Sequence, residues 1–135
     1  MTNVLVVDVQ QDQPFDRKLA THLLKPVELE KGVTLEKLYE LTTCSIVERV
    51  ILGRLPNGNR LDIIIDEEGT FGQWTRGIKI KNDEGYEYTL FGNCVFVQCN
   101  SEGDWIGWDN QADMFIDVDK YISKLQLFEV ADEKQ

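Results

Sequence analysis

The sequence predicts an α+β fold: a mostly antiparallel β-sheet with about two short helices packed against it. Three observations lead there. Short apolar runs rich in Val and Ile recur along the chain, separated by turns of Gly, Asn and Asp. Two stretches place apolar residues at the i, i+3, i+4 spacing of a helix face. The 135 residues suit one domain, with 42% apolar residues for a core. We take residues 1–130 as that domain and residues 131–135 as a tail that frays.

The elements follow in order. Residues 4–9 are apolar and β-branched and read as a strand. Residues 10–16 are polar, with Pro14, and read as a loop. Residues 17–25 suit a short helical turn stopped by Pro26, and residues 27–29 a brief strand ended at Gly32. Thr34 reads as an N-cap, with Glu36 in the first turn and Leu35, Leu38 and Tyr39 on one face, so a helix should run to about Thr42. Residues 44–52 read as a strand. Asn57-Gly58 is a tight hairpin signal, and residues 60–66 return as a strand. Ile63, Ile64 and Ile65 are consecutive, so both faces should be covered and the strand should be central. Residues 70–77 are irregular, broken by Gly72 and Gly77. Residues 78–81 and 86–91 form a hairpin around residues 82–85. Gly92 reads as a bulge before a strand at 93–99. After a turn at 101–104, residues 105–108 suit a short strand. Residues 117–127 carry a second helical pattern through Val118, Tyr121, Ile122 and Leu125, capped by Asp117 or Asp119.

The net charge is −10, and its placement is uneven. Between Lys81 and Lys120 there is no Lys, Arg or His. That stretch holds nine acids: Asp83, Glu84, Glu87, Glu102, Asp104, Asp109, Asp113, Asp117 and Asp119. Elsewhere acids and bases nearly balance. Direct binding to DNA or RNA is disfavoured, because phosphate contacts need clustered cations. A basic partner would be attracted, with a salt-sensitive association rate. The plain alternative is a solvated face that aids solubility.

The chemistry-bearing residues are few. Cys44, Cys94 and Cys99 have no C-x-x-C spacing, and Cys94 and Cys99 should point to opposite faces of one strand. Free thiols in a reducing compartment are expected. The N-terminus lacks a basic segment and a long apolar run, so it reads as a strand rather than a signal or membrane segment, and a cytoplasmic location is expected. The one histidine, His22, stands beside Leu23 and Leu24 and suits packing better than catalysis. No metalloprotease, nucleophile-elbow or phosphate-loop motif is present. Asp66, Glu67 and Glu68, or Asp117 and Asp119, lack the spacing of a calcium loop. No enzyme, cofactor or metal is expected.

The most suggestive local run is Asp104-Trp105-Ile106-Gly107-Trp108-Asp109, two tryptophans bracketed by carboxylates. Tryptophans are enriched in binding hot spots. A partner-binding site of Glu102, Asp104, Trp105, Trp108, Asp109 and Asp113 is therefore predicted, with closure of the core by the rings as the alternative. A second candidate, for a small ligand, is Trp74 with Arg76, a ring and a guanidinium able to engage a base and a phosphate.

The run Thr34-Leu35-Glu36-Lys37-Leu38-Tyr39-Glu40-Leu41, the strand at 46–51, the run Leu61-Asp62-Ile63-Ile64-Ile65-Asp66-Glu67-Glu68-Gly69 and the run Leu90-Phe91-Gly92-Asn93-Cys94-Val95-Phe96-Val97 together resemble a known family. It is the domain-of-unknown-function family number 3846, common in bacteriophages and mobile elements. The resemblance spans about residues 4–122. Two places depart from it: Thr43-Cys44, where the family often has glycines, and Gln73-Trp74-Thr75-Arg76, which replaces a Pro-Asn-rich loop. The family brings no catalytic residues to carry over. It implies a phage accessory protein, and by analogy one acting in counter-defence against a host immune nuclease or its nucleotide signal.

Two functions follow as expectations. The first is an inhibitor, possibly a DNA mimic of anti-CRISPR type, that binds a basic, nucleic-acid-binding host protein in the host cytoplasm through the acidic face. It would contact neither membrane nor nucleic acid. The second is a sponge that sequesters a nucleotide immune signal, with homo-oligomerisation bringing in cations such as Arg54 or Arg60.

Overall fold

The computed structural model describes residues 1–11, 13–15, 23–69 and 74–130. His22, Gly72, Gln73, most of the 17–25 stretch and the 131–135 tail lie outside the described residues. The expected α+β architecture is present. Among the described residues nine strands and two helices follow in the order β1 (Thr2–Val7), β2 (Leu24–Leu29), α1 (Leu35–Thr42), β3 (Val47–Arg54), β4 (Arg60–Asp66), β5 (Arg76–Lys81), β6 (Glu87–Phe91), β7 (Cys94–Cys99), β8 (Trp105–Ile106), α2 (Gln111–Ile122) and β9 (Gln126–Glu129).

The strands form two sheets. The larger runs β2-β1-β7-β4-β3, with β8 also paired to β7; the smaller runs β6-β5-β9. Every pairing is antiparallel. β7 is the middle strand of the larger sheet and is buried throughout. β4 sits beside it, one strand in from the edge, so the expectation of a covered strand holds and that of the central one does not.

Alternation along β4 and β7 explains the layers. Ile64, Val95 and Val97 face one way and pack with Val4, Val6, Leu29 and Leu38 of α1. Ile63, Ile65, Cys94 and Phe96 face the other way, into a core shared with the smaller sheet and α2. The molecule is therefore α1, then the large sheet, then the small sheet together with α2.

Four local expectations are corrected. Lys25 and Pro26 belong to β2, an edge strand that tolerates a proline because its outer backbone needs no ladder partner. Gly92, at φ 83°, does not bulge one strand; it is the corner where the chain leaves the small sheet for the large one. The second helix starts at Gln111, capped by Asn110 rather than Asp117 or Asp119. Residues 126–129 are a strand on β5, because Leu127 meets Ile78 across the small sheet. Thr34 does cap α1, accepting from the Lys37 backbone N–H at 3.2 Å.

Candidate functional site

The segment between β8 and α2 builds the most distinctive surface of the described residues. Gly107 lets it close: a Cβ there would lie 2.3 Å from the Asn3 carbonyl oxygen. Asn3 and Trp108 then exchange backbone hydrogen bonds at 2.7 and 2.8 Å. Trp108 turns into the core, only 4% exposed. Its indole N–H donates to Asp117 Oδ2 at 2.8 Å, meeting the need of a buried ring for a polar partner.

α2 begins one residue past the Asn110 cap. The Asn110 side chain accepts from the Asp113 backbone N–H at 2.8 Å and donates to the Asp113 carboxylate at 3.0 Å, a reciprocal cap. Met114, Val118 and Tyr121 form the buried face. Asp113 and Asp117, four apart, share a neighbouring face, and Asp109 precedes them with the same interval.

The opposite wall is the β3–β4 hairpin loop. Asn57 and Asn59 both donate to Gln98 Oε1, at 2.9 and 3.1 Å, and Gln98 donates to the Gly107 carbonyl at 2.8 Å. Between the walls lies an open cleft of about 420 Å³. Asp109, Asp113 and Asp117 line it, with Pro56, the amides and the 72% exposed Ile116, and no cation among the described residues lines it. Glu102 and Asp104 are exposed on the turn just past Cys99, which pairs with Arg60 at this same end of the large sheet.

The other acids of the stretch are elsewhere. Asp83 reaches Lys120 at 2.6 Å and accepts from the Tyr121 hydroxyl at 2.7 Å. Burial pushes its carboxyl up, but the Lys120 and Tyr121 hydrogen bonds outweigh that and bring it below the usual carboxylate range. Burial, with Asp83 beside it, pushes the Tyr121 phenol well above its usual range. Glu84 and Glu87 are exposed at the β5–β6 hairpin. The nine acids thus do not make one face, although five gather at one end.

The predicted tryptophan pair is not a pair. Trp108 belongs to the core under α2, whereas Trp105 packs with the cluster under α1, on the opposite face of the sheet. The Trp105 indole donates to Asp62 Oδ2 at 3.3 Å. The alternative reading, core closure by the rings, describes both. Asp62 is fully buried and held by the Arg60 guanidinium at 2.7 and 2.8 Å. That hydrogen bond, against the opposing effect of burial, raises the already high pKa of Arg60.

The second predicted site is also committed to structure. Arg76 opens β5 and is buried, bonded to Glu129 Oε2 at 3.0 Å and to the Gln10 carbonyl, with its guanidinium carbon 5.5 Å from the centre of the Phe15 ring. Trp74 covers Gly92, where a Cβ would lie 2.6 Å from the indole. All three cysteines are free thiols. Burial pushes Cys94 far up, and burial, opposed by a Thr42 hydrogen bond, pushes Cys44 up, so neither is an activated nucleophile. Among the described residues no group of three His, Cys, Asp or Glu could hold a metal ion, and no helix is long and apolar enough to cross a membrane.

Sequence reading missed the part of Gln98, Asn57 and Asn59, whose meeting depends on strand pairing. The 109, 113, 117 interval was visible and marks the cleft. No family model, curated protein or solved structure matches the chain.

Proposed function

We propose that the protein is a non-enzymatic binding module that takes a cationic surface of a nucleic-acid-binding protein at the acidic end of the large sheet. One observation carries this reading: a cleft with three aspartates and, among the described residues, no cation lining it, flanked at the same end of the sheet by Glu102 and Asp104. Carboxylates spaced along a surface can stand in for phosphates, and a nucleic-acid-binding groove presents the complementary field. Exposed Ile116 on the rim offers the apolar contact that a purely electrostatic encounter lacks. With the resemblance to a phage-borne family, this favours a counter-defence inhibitor that competes with nucleic acid for a host protein in the cytoplasm.

The experiment uses an arginine-rich peptide as probe, followed by a nucleic-acid-binding protein that duplex DNA can displace. Reversing Asp104 and Asp109 to Lys should lower affinity for both at least tenfold and flatten the salt dependence. Asp113 is less suited to reversal, because it also caps α2. Unchanged affinity in the D104K/D109K variant rejects the reading.

A further inference from the structure

Five of the eleven described cations are held by carboxylates. Lys25, Lys37, Arg60, Arg76 and Lys120 are each in an ion pair. Lys79, Lys81 and Lys124 make none with the described residues, and all three line one cleft of about 470 Å³. The fold dictates that meeting. Ile78 and Ile80 of β5 point into the core, so Lys79 and Lys81 project from the outer face of the small sheet. The link from α2 to β9 then brings Lys124 against them, beside Ser123 and Gln126.

The same outer face carries rings. Gly77 lies opposite Phe91 on one side and Phe128 on the other. The two rings meet edge to face, 5.2 Å between centres. The Lys79 ammonium is 5.9 Å from the Phe128 ring centre. The next row along the sheet places Thr89 and Gln126 beside Lys79.

We propose that this cleft is a binding site for the phosphoryl group of a nucleotide or short single strand, with the Phe91–Phe128 pair as the surface for the base. Three ammonium groups against one carboxylate, that of Glu87, leave two positive charges. A phosphate monoester dianion matches them. Gln126 supplies a neutral donor, whereas the Ser123 hydroxyl is spent on the Lys120 carbonyl at 3.0 Å. The Ser123 and Lys124 backbone N–H groups are spent on the last carbonyls of α2, so side chains do the binding. Base–aromatic stacking adds affinity that the phosphoryl group alone lacks.

The net charge of −10 does not forbid this. The acidic cleft lies toward the other end of α2: at 1.5 Å per residue Asp113 is about 16 Å along the axis from Lys124, and Asp117, which holds the Trp108 indole, about 10 Å. Both separations exceed the screening length of about 8 Å at physiological salt, so the near lysines dominate the local field. The site is separate from the acidic cleft and stands or falls independently of it.

The test follows backbone amide NMR shifts of the whole chain with three probes: inorganic phosphate, AMP and an eight-nucleotide oligothymidylate. Shifts should centre on Lys79, Lys81 and residues 123–126. AMP should bind more tightly than phosphate, and the ranking of AMP against the oligomer tells a free nucleotide from a strand. The K79Q/K81Q/K124Q variant should lose at least tenfold in affinity, whereas K31Q, at an exposed lysine away from this cleft, should bind as the parent does. Three phosphate contacts predict a loss of about twentyfold in oligomer affinity between 50 and 200 mM salt. The single Lys→Gln variants, at exposed or half-exposed positions, should each melt with the parent and lose part of the affinity. No shift at these amides with any probe, or equal binding by the triple variant, overturns the site. Equal affinity for phosphate and AMP overturns its assignment to a nucleotide.

Discussion

Gly53 sits where the two sheets and α2 meet, and replacing it with Ala probes that junction directly. β3 changes register between Ile51 and Gly53, and the Asp83 backbone N–H donates to the Leu52 carbonyl at 2.8 Å. A Cβ on Gly53 would lie 1.9 Å from Asp83 Oδ2 and 2.1 Å from the Tyr121 hydroxyl oxygen. Either the strand shifts or Asp83 swings out to water. The second course loses the charge-assisted Tyr121 hydrogen bond, about 1.5–3 kcal/mol, and the exposed Lys120 pair, at most about 1 kcal/mol. We expect G53A to cost about 3 kcal/mol, a large share of the roughly 5–15 kcal/mol that holds a typical domain together. With an unfolding entropy of about 2.1 cal/mol/K per residue, 135 residues convert that to a fall in Tm of about 10 °C. Calorimetry on G53A supplies the number. The decisive measurement repeats G53A in a D83A/Y121F background, where both obstructing oxygens are gone. There the substitution should be neutral or stabilise by about 0.5–1 kcal/mol, since Ala loses less backbone freedom than Gly. A melting loss that is the same in both backgrounds would refute the clash as its cause.

Two further expectations concern buried and titrating groups. Asp62 is fully buried and Arg60 about one-quarter exposed, so removing the cation strands a carboxylate that only an indole N–H relieves, whereas removing the acid leaves a guanidinium that can turn to solvent. In urea unfolding R60M should therefore cost more than D62L, the larger loss being about 3–5 kcal/mol, and R60M/D62L should recover most of it; a greater cost for D62L rejects this. The Asp83–Tyr121 pair fixes both pH limits. The lowered carboxyl of Asp83 contributes stability present above about pH 4 and lost as pH falls through its folded value. The raised phenol of Tyr121 contributes stability present below about pH 10 and lost as pH rises beyond it. Urea midpoints against pH should show D83N flattening the acid limb and Y121F the alkaline limb; unchanged limbs refute the assignment.

Local rules found the elements whose cause is local. Thr34 caps α1 through a bond three residues away, Asn57-Gly58 turns the β3–β4 hairpin, and three consecutive isoleucines mark a strand covered on both faces. The elements missed have distant causes. β9 follows α2 so closely that Leu125 and Leu127 continue a helical pattern, and only pairing with β5 makes a strand of them. Gly92 separates two strands that any local rule joins into one. The tryptophans near residue 106 were legible as important but not as separate: residues 105 and 108, three apart, alternate to opposite faces of a sheet, and each finds its carboxylate, Asp62 or Asp117, from another part of the chain.

The placement of charge along α2 has two explanations that can be separated. A helix favours acids at its start and cations at its end, and Asp113 near the N-terminus with Lys120 in the last turn obeys that rule. Asp113 also caps the helix, and Asp117 holds the Trp108 indole, so both carboxylates have structural work. Asp109 has none of this kind. It precedes the cap, is exposed, and makes no hydrogen bond or ion pair with the described residues. It adds a third negative charge to a cleft that already holds two, which raises the repulsion there. Only the helix dipole offers its carboxylate a stabilising role. The comparison of D109N with the parent thus divides the two explanations: if charge serves the helix, Tm falls and binding of the arginine-rich peptide stands; if it serves a partner, Tm holds or rises while binding falls.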